Sequence, residues 1–260
     1  MIRAVVAGAA GRMGSRIVAA LREEKDFAVT GAFERPGAEQ VGQEVCGVKI
    51  AAGIEPALEK GADVVIDFTA PAASLHHAAV CAGRGVALVI GTTGFSEEQK
   101  KALRESSRRV PLVLAPNMSA GVNVLFRLVA DAARALGDSY EIEIVETHHR
   151  MKRDAPSGTA LRLAEVAAEA LGWKERPFVY ERHGDVGPRK GATIGLSAVR
   201  GGDVVGDHTV HFLADGERLE LTHRATSRDN FARGAARAAR WVAGRKPGFY
   251  DMQDVLGLRT

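Results

Sequence analysis

Hydrophobic and polar positions change rhythm along this chain, and the changes predict its elements. Residues 2–7 form an almost unbroken apolar run, the pattern of a strand buried on both faces of a parallel sheet. A glycine-rich turn follows, then a helical spacing over about 11–24. Residues 28–33 give the next apolar strand, and 63–68, 86–90 and 111–114 give three more, with helical patterns between them at about 71–83 and 97–108. Strands alternating with helices predict βαβ units around a parallel sheet.

Beyond about residue 118 the rhythm changes. Ser119 stands where it can cap a long helix over 120–136. Tyr140, Ile142 and Ile144 alternate with Glu141 and Glu143, which predicts a strand with one wet face. Asp154, Pro156 and Ser157 signal a helix start, and a helical pattern runs from Ala160 to Leu171 with Gly172 as its stop. A glycine- and charge-rich stretch at 173–191 reads as a long loop. Strands are expected near 192–199, 204–213 and 217–225, with Asp215-Gly216 as a hairpin turn. A last helix over 229–243 carries Phe231, Ala235, Ala238 and Val242 on one face, and the tail at 248–258 can return to the first domain. The pattern is α/β in its first part, followed by a second α+β domain with an open sheet.

Composition narrows the classes. With 260 residues, 46% hydrophobic and 26% charged, the chain is of ordinary globular type and long enough for two modest domains. A formal net charge of +3 demands no nucleic-acid or anionic-membrane partner. No apolar run approaches a membrane span, and the chain enters a strand at once, leaving no room for a signal peptide. Cys46 and Cys81 show neither metal-ligand spacing nor a paired framework, so a reducing cytosol and no metal are expected.

Gly8-Ala9-Ala10-Gly11-Arg12-Met13-Gly14 joins the first strand to the first helix. Glycines there let backbone approach a pyrophosphate lying on the helix N-terminus. The spacing is G-x-x-G-x-x-G, and many strand-to-helix turns are glycine-rich for steric reasons alone. Glu34, 20 residues beyond Gly14, strengthens the reading, because an acid closing the second strand accepts from ribose hydroxyls. Its carboxylate repels a 2′-phosphate and favours NAD, whereas Arg12 and Arg35 favour phosphate. A site tolerant of both NADH and NADPH is therefore expected. Gly91-Thr92-Thr93-Gly94 and Ala115-Pro116-Asn117-Met118 end later strands, where ligands of open α/β sheets sit. Asp67-Phe68-Thr69 is a weaker candidate of the same kind, and ordinary turn chemistry is the competing account of all three.

The richest chemistry is at 148–159. His148, His149, Arg150, Lys152 and Arg153 crowd together just before a helix start, which offers free N–H groups and a positive dipole end. Such a cluster suits a small molecule with more than one negative group, and His148 and Lys152 can exchange protons there. A solvated basic loop before a capped helix is the bland alternative. His76 and His77 read as surface or packing residues, and His208, His211 and His223 as cross-strand partners.

Taken in order, Gly8-Ala-Ala-Gly-Arg-Met-Gly, Gly91-Thr-Thr-Gly, Ala115-Pro-Asn-Met-Ser, the 146–159 segment and Arg200-Gly-Gly-Asp-Val-Val-Gly-Asp-His make the whole chain resemble the bacterial dihydrodipicolinate (4-hydroxy-tetrahydrodipicolinate) reductases of the diaminopimelate route to lysine. The 148–159 segment is the specific part; the glycine-rich turn is not. The resemblance implies a Rossmann-type parallel-sheet dinucleotide-binding domain at 1–118, completed by 229–260. It implies an α+β substrate and oligomerisation domain at 119–228 with an open mixed sheet. It further implies cofactor contacts from Gly8, Ala9, Ala10, Gly11, Arg12, Met13, Glu34, Gly91, Thr92, Thr93, Ala115, Pro116, Asn117 and Met118. His148 matches the general acid/base, Lys152 the proton donor, and His149, Gly158 and Thr159 the substrate contacts. Residue 151 is Met where some relatives carry another His. A cytoplasmic homotetramer acting on a small dicarboxylate cyclic imine is the implied setting.

In that reading the Gly158 and Thr159 amides hold one carboxylate, and His149 with neighbouring cations the other. His148 and Lys152 share the proton transfer, with the final donor open. Two rivals stand beside it: a thiol-dependent aldehyde dehydrogenase, for which neither cysteine has an activating motif, and a non-catalytic dinucleotide sensor, which has no use for the basic cluster.

Overall fold

Apolar runs of four to six residues are too short for stable helices, and here they become strands. The computed structural model describes residues 1–175 and 177–259. The chain divides into two compact units, 1–120 with 229–260, and 121–228. In chain order the first unit begins β1 (Ile2–Ala7), α1 (Gly14–Glu23), β2 (Phe27–Glu34), β3 (Glu44–Val45), β4 (Val48–Ala52), α2 (Ile54–Ala57), β5 (Val64–Asp67), α3 (Pro71–Arg84), β6 (Ala87–Ile90), α4 (Glu97–Ser107) and β7 (Pro111–Leu114). The second comprises α5 (Ala120–Leu136), β8 (Glu141–His148), α6 (Gly158–Ala170), β9 (Phe178–Val179), β10 (Ile194–Arg200), β11 (Gly206–Ala214) and β12 (Glu217–Ala225). The chain then returns with α7 (Asp229–Val242), β13 (Gly248–Tyr250) and α8 (Met252–Leu256).

The first unit is a parallel sheet in the order β13-β7-β6-β5-β1-β2-β4-β3, in which the β3–β4 pair runs antiparallel. Alternate side chains of each strand go to opposite faces. Ala4, Val6, Ile66, Val89 and Val113 pack against Ile17, Val18 and Leu21 of α1 and the alanine-rich face of α7. Val5, Val65, Leu88, Ile90 and Leu112 pack against Ala78 and Cys81 of α3 and Leu103 of α4. Burial on both faces explains the lack of polar alternation in these strands. On α7, Ala235, Ala238 and Val242 are buried as their spacing predicts, while Phe231 is only half-buried. The tail supplies β13, which pairs with β7.

The second unit is a mixed sheet ordered β12-β11-β8-β10-β9. The β12–β11 and β11–β8 pairs are antiparallel, and β8–β10 and β10–β9 are parallel. Its inner face sets Ile142, Ile144, Ile194, Leu196, Val210 and Phe212 against α5 and α6. Toward the carboxyl end of β8 that same face turns polar: Glu146, His148 and His208 are buried where apolar residues stood before. A fold normally avoids this unless the groups are paired, and here they are.

Candidate functional site

In the first unit the sheet aligns the candidate segments. Ala7 is in register with Phe33 and Asp67, Asp67 with Ile90, and Ile90 with Leu114. The glycine-rich turn, Glu34, Phe68-Thr69, Gly91–Thr93 and Ala115–Met118 all begin at or just past this line, so parallel pairing brings them to one sheet edge. The turn itself is tight. Gly8 has φ +61°, which other residues adopt only with strain, and the Gly11 amide donates to its carbonyl at 2.9 Å. A Cβ at Gly14 would overlap the Gly8 carbonyl oxygen, so α1 packs on the turn only because that Cβ is missing. The helix starts at Gly14, later than the spacing predicts, and leaves Gly8 to Met13 as open turn. The Ala10 amide donates to Glu34 Oε1 at 2.9 Å. Bare backbone at a helix start, with an acid at the end of the neighbouring strand, fits a dinucleotide.

Arg12 and Arg35 are exposed, as are Thr93 and Pro116. Ala115 and Met118 are buried in the core, so only their backbone can face a ligand. Asn117 accepts from the Ser119 amide at 2.9 Å. Thr92 Oγ accepts from the Thr69 amide at 2.9 Å and lies 3.0 Å from Ser74 Oγ.

One pair here was not read from the sequence as a functional feature. His77 is buried, and its Nδ1 lies 2.8 Å from Oδ2 of the fully buried Asp67. The other Asp67 oxygen accepts from the Thr69 hydroxyl at 2.6 Å and the Thr69 amide at 2.9 Å. The signal was present: Ser74, His77, Ala78 and Cys81 lie at helical spacing on the buried face of α3.

In the second unit, β8 ends in His148, and its buried ring directs Nδ1 at Glu146 Oε2, 2.6 Å away. Glu146 is 1% exposed. Arg200, at the end of the paired strand β10, grips both its oxygens at 2.7 Å, and the Ser157 amide donates to Oε1 at 3.0 Å. Burial opposes this charge, but the hydrogen bonds from His148, Arg200 and Ser157 outweigh it and hold the Glu146 carboxyl at about 2. Ser157 caps α6, its hydroxyl accepting from the Ala160 amide, and it also lies 2.9 Å from His208 Nε2. The His148 and His208 rings meet edge to face at 5.1 Å. Burial, reinforced by neighbouring His148, pushes His208 down to about 3. Its cross-strand partner is His223, as the hairpin pattern predicts.

Lys152 Nζ lies 2.9 Å from both Asp154 oxygens, and this hydrogen bond holds the Asp154 carboxyl below its usual value. The Asp154 carbonyl accepts from Arg200 at 2.6 Å. His149 is half-buried, with Nε2 3.4 Å from an Arg228 guanidinium nitrogen. Arg150, Met151 and Arg153 are exposed. Gly158 and Thr159 open α6, two residues earlier than the sequence pattern indicates. Thus β8, α6 and β10 bring together His148, Lys152 and the α6 start. They add Glu146, Arg200 and His208, to which the sequence reading gave no role at this site.

Comparison with known proteins agrees across the chain. Residues 2–118 match the model of the dihydrodipicolinate reductase N-terminus, and residues 121–256 that of the C-terminus. The 4-hydroxy-tetrahydrodipicolinate reductase of Anaeromyxobacter dehalogenans is 57% identical over 268 aligned positions, covering 100% of this chain and 99% of the relative. That of Myxococcus xanthus is 54% identical with the same coverage. Among solved structures, a dipicolinate-bound dihydrodipicolinate reductase from Paenisporosarcina sp. TG-14 superposes with a TM-score of 0.78 at 24% identity, covering 96% of this chain and 97% of that one.

Proposed function

The chain belongs to the dihydrodipicolinate reductase family, and we propose that it reduces 4-hydroxy-tetrahydrodipicolinate, or the dihydrodipicolinate formed from it, to tetrahydrodipicolinate. The observation that carries this is the buried His148, its Nδ1 bound to Glu146, in the unit that also presents Lys152 and the start of α6. A non-catalytic dinucleotide sensor has no use for such an arrangement.

The first unit binds the dinucleotide. Backbone of Gly8 to Met13 receives the pyrophosphate, Glu34 the adenosine ribose, and Gly91–Thr93 with Ala115–Met118 the nicotinamide end. The dihydronicotinamide supplies the hydride. Glu34 favours NADH, while exposed Arg12 and Arg35 accommodate a 2′-phosphate, so both nucleotides serve. The second unit binds the substrate. Gly158 and Thr159 amides hold one carboxylate at the positive end of α6, and His149 with its neighbouring cations holds the other. Hydride addition leaves electron density on the adjacent carbon, and His148 with Lys152 delivers the proton there.

Two free cysteines, one exposed and one buried, suit a reducing cytoplasm, and no helix among the described residues is long and apolar enough to cross a membrane. The open face of the second sheet, which carries the exposed Val199 on β10 and the Thr209–Thr222 pair on β11 and β12, supports assembly as a homotetramer. A mass measurement returning a monomer at working concentration would remove that part. The function itself is tested by adding freshly made cyclic imine to protein with NADH or NADPH. Nucleotide oxidation at catalytic rates is expected; binding without oxidation would leave the sensor reading in its place.

A further inference from the structure

Resting on that reading, we propose that Glu146 is a positioning residue: anchored by Arg200 and Ser157, it fixes the tautomer and plane of the His148 ring and ties that ring to the start of α6.

The contacts define its state. An ionised carboxylate only accepts, at about four lone-pair sites. Four donors meet Glu146: His148 Nδ1 and one Arg200 nitrogen at Oε2, the other Arg200 nitrogen and the Ser157 amide at Oε1. Arg200 stays charged at any working pH, so the carboxylate does not need a proton of its own. Nδ1 of His148 must then carry hydrogen, which leaves Nε2 as the reacting nitrogen. Space is kept there, since a Cβ at Gly206 would come within 2.8 Å of Nε2. In the imidazolium form, Nε2–H is the proton that can leave. As the new C–H bond forms, the Nε2–H bond breaks, its electron pair stays on Nε2, and Nδ1 keeps its hydrogen, still donated to Glu146 Oε2.

The same carboxylate reaches two other parts of the site. Through Oε1 it holds the amide of Ser157, the residue before Gly158. Through Arg200 it reaches the Asp154 carbonyl, and the Asp154 side chain holds Lys152. A shift of Glu146 therefore moves His148, the substrate-carboxylate grip and the partner of Lys152 together. Carboxylates that orient a metal-bound imidazole typically matter by about 10–100-fold, and an effect of that order is expected for this metal-free pair.

The test uses full-length protein with bound NADH and 15N-labelled histidine, with the His148 signals assigned by their loss in His148→Gln. The neutral wild-type ring is expected to show a protonated Nδ1 and an unprotonated Nε2. Glu146→Gln presents an amide that can donate to Nδ1, so the Nε2–H tautomer is expected to appear and kcat to fall about 10–100-fold. The KM for NADH should be unchanged, and Glu146→Asp should recover part of kcat. Leaving the half-buried Arg200 guanidinium without its partner can prevent folding, so Glu146→Gln with Arg200→Met is made as well. In that folded double variant the mixed tautomer and the reduced kcat must persist. A single Nδ1–H tautomer, or wild-type kcat, in either folded variant overturns the proposal. The tautomer needs no substrate, so failure of wild type to reduce the cyclic imine is a separate result and bears on the functional reading alone.

Discussion

Glu34 Oε1 accepts a hydrogen bond from the Ala10 amide at 2.9 Å, so the acid at the end of β2 is latched to the turn expected to carry the pyrophosphate. One oxygen orders the turn, and in the proposed role the other accepts from a ribose hydroxyl. Two variants separate these roles. Glu34→Ala removes both and is expected to weaken NADH about 10–100-fold, since a hydrogen bond to a charged group contributes about 1.5–3 kcal/mol. Glu34→Gln keeps an acceptor for Ala10 and loses the charge, so NADPH should gain on NADH. Fluorescence titration with each nucleotide reads both effects. Unchanged NADH affinity in Glu34→Ala would remove the ribose role.

Lys152 is held by both oxygens of Asp154, whose side chain is 62% exposed. An exposed partner holds a lysine weakly, and the ammonium can be lent to a substrate. Lys152→Ala is therefore expected to lower kcat by about 10²–10⁴-fold, the usual contribution of a positioned acid. Affinity for NADH should stay at its wild-type value. Steady-state rates beside dinucleotide titration decide it: equal losses in both would make Lys152 a structural residue.

What the sequence made legible, and what it hid, follows from the range of each interaction. The strand ends at Ala7, Asp67, Ile90 and Leu114 are readable because an apolar run stops at turn residues, a local event. β3, β9 and β13 carry no period because they are only two or three residues long, and the five-residue β4 is not among the strands the pattern predicts either. Asp67 and His77 meet across a strand and a helix, and only the spacing on α3 hinted that His77 turns inward. For Glu146 the clue was stronger. Ile142 and Ile144 face inward, and carrying the same alternation two steps further puts Glu146 and His148 on the buried face. Arg200 pairs with Glu146 from 54 residues away, and nothing in local pattern announces that.

His208 gives the fold an acid limit. Its folded value of about 3 lies below the ordinary 6.5, so the folded state refuses a proton that the unfolded chain accepts below 6.5. Stability from this group is complete above that value and falls with pH at up to about 1.4 kcal/mol per unit. His223, also lowered by burial, acts in the same direction. Glu146, held at about 2 against an ordinary 4.5, adds its loss only at lower pH. Urea midpoints at pH 7.5, 6.5 and 5.5 are expected to fall in wild type and to fall less in His208→Asn. Parallel curves for the two proteins would show that His208 is not the group responsible.

Gly158 offers the cleanest test of the substrate grip. Beyond its chain neighbours and its own helix backbone, a Cβ built on it meets nothing within 4 Å, and its φ is not in the left-handed region. Alanine in place of glycine near a helix start therefore costs the protein nothing sterically and raises stability by about 0.4–1 kcal/mol through the unfolded chain. A carboxylate lying on the first amides of α6 would meet that methyl group, because close backbone approach to a ligand is what glycine permits. Gly158→Ala should then melt at or above the wild-type temperature, bind NADH normally, and show a raised KM for the cyclic imine. A thermal melt and two titrations suffice. An unchanged KM in this stable variant would place the substrate carboxylate elsewhere than the start of α6.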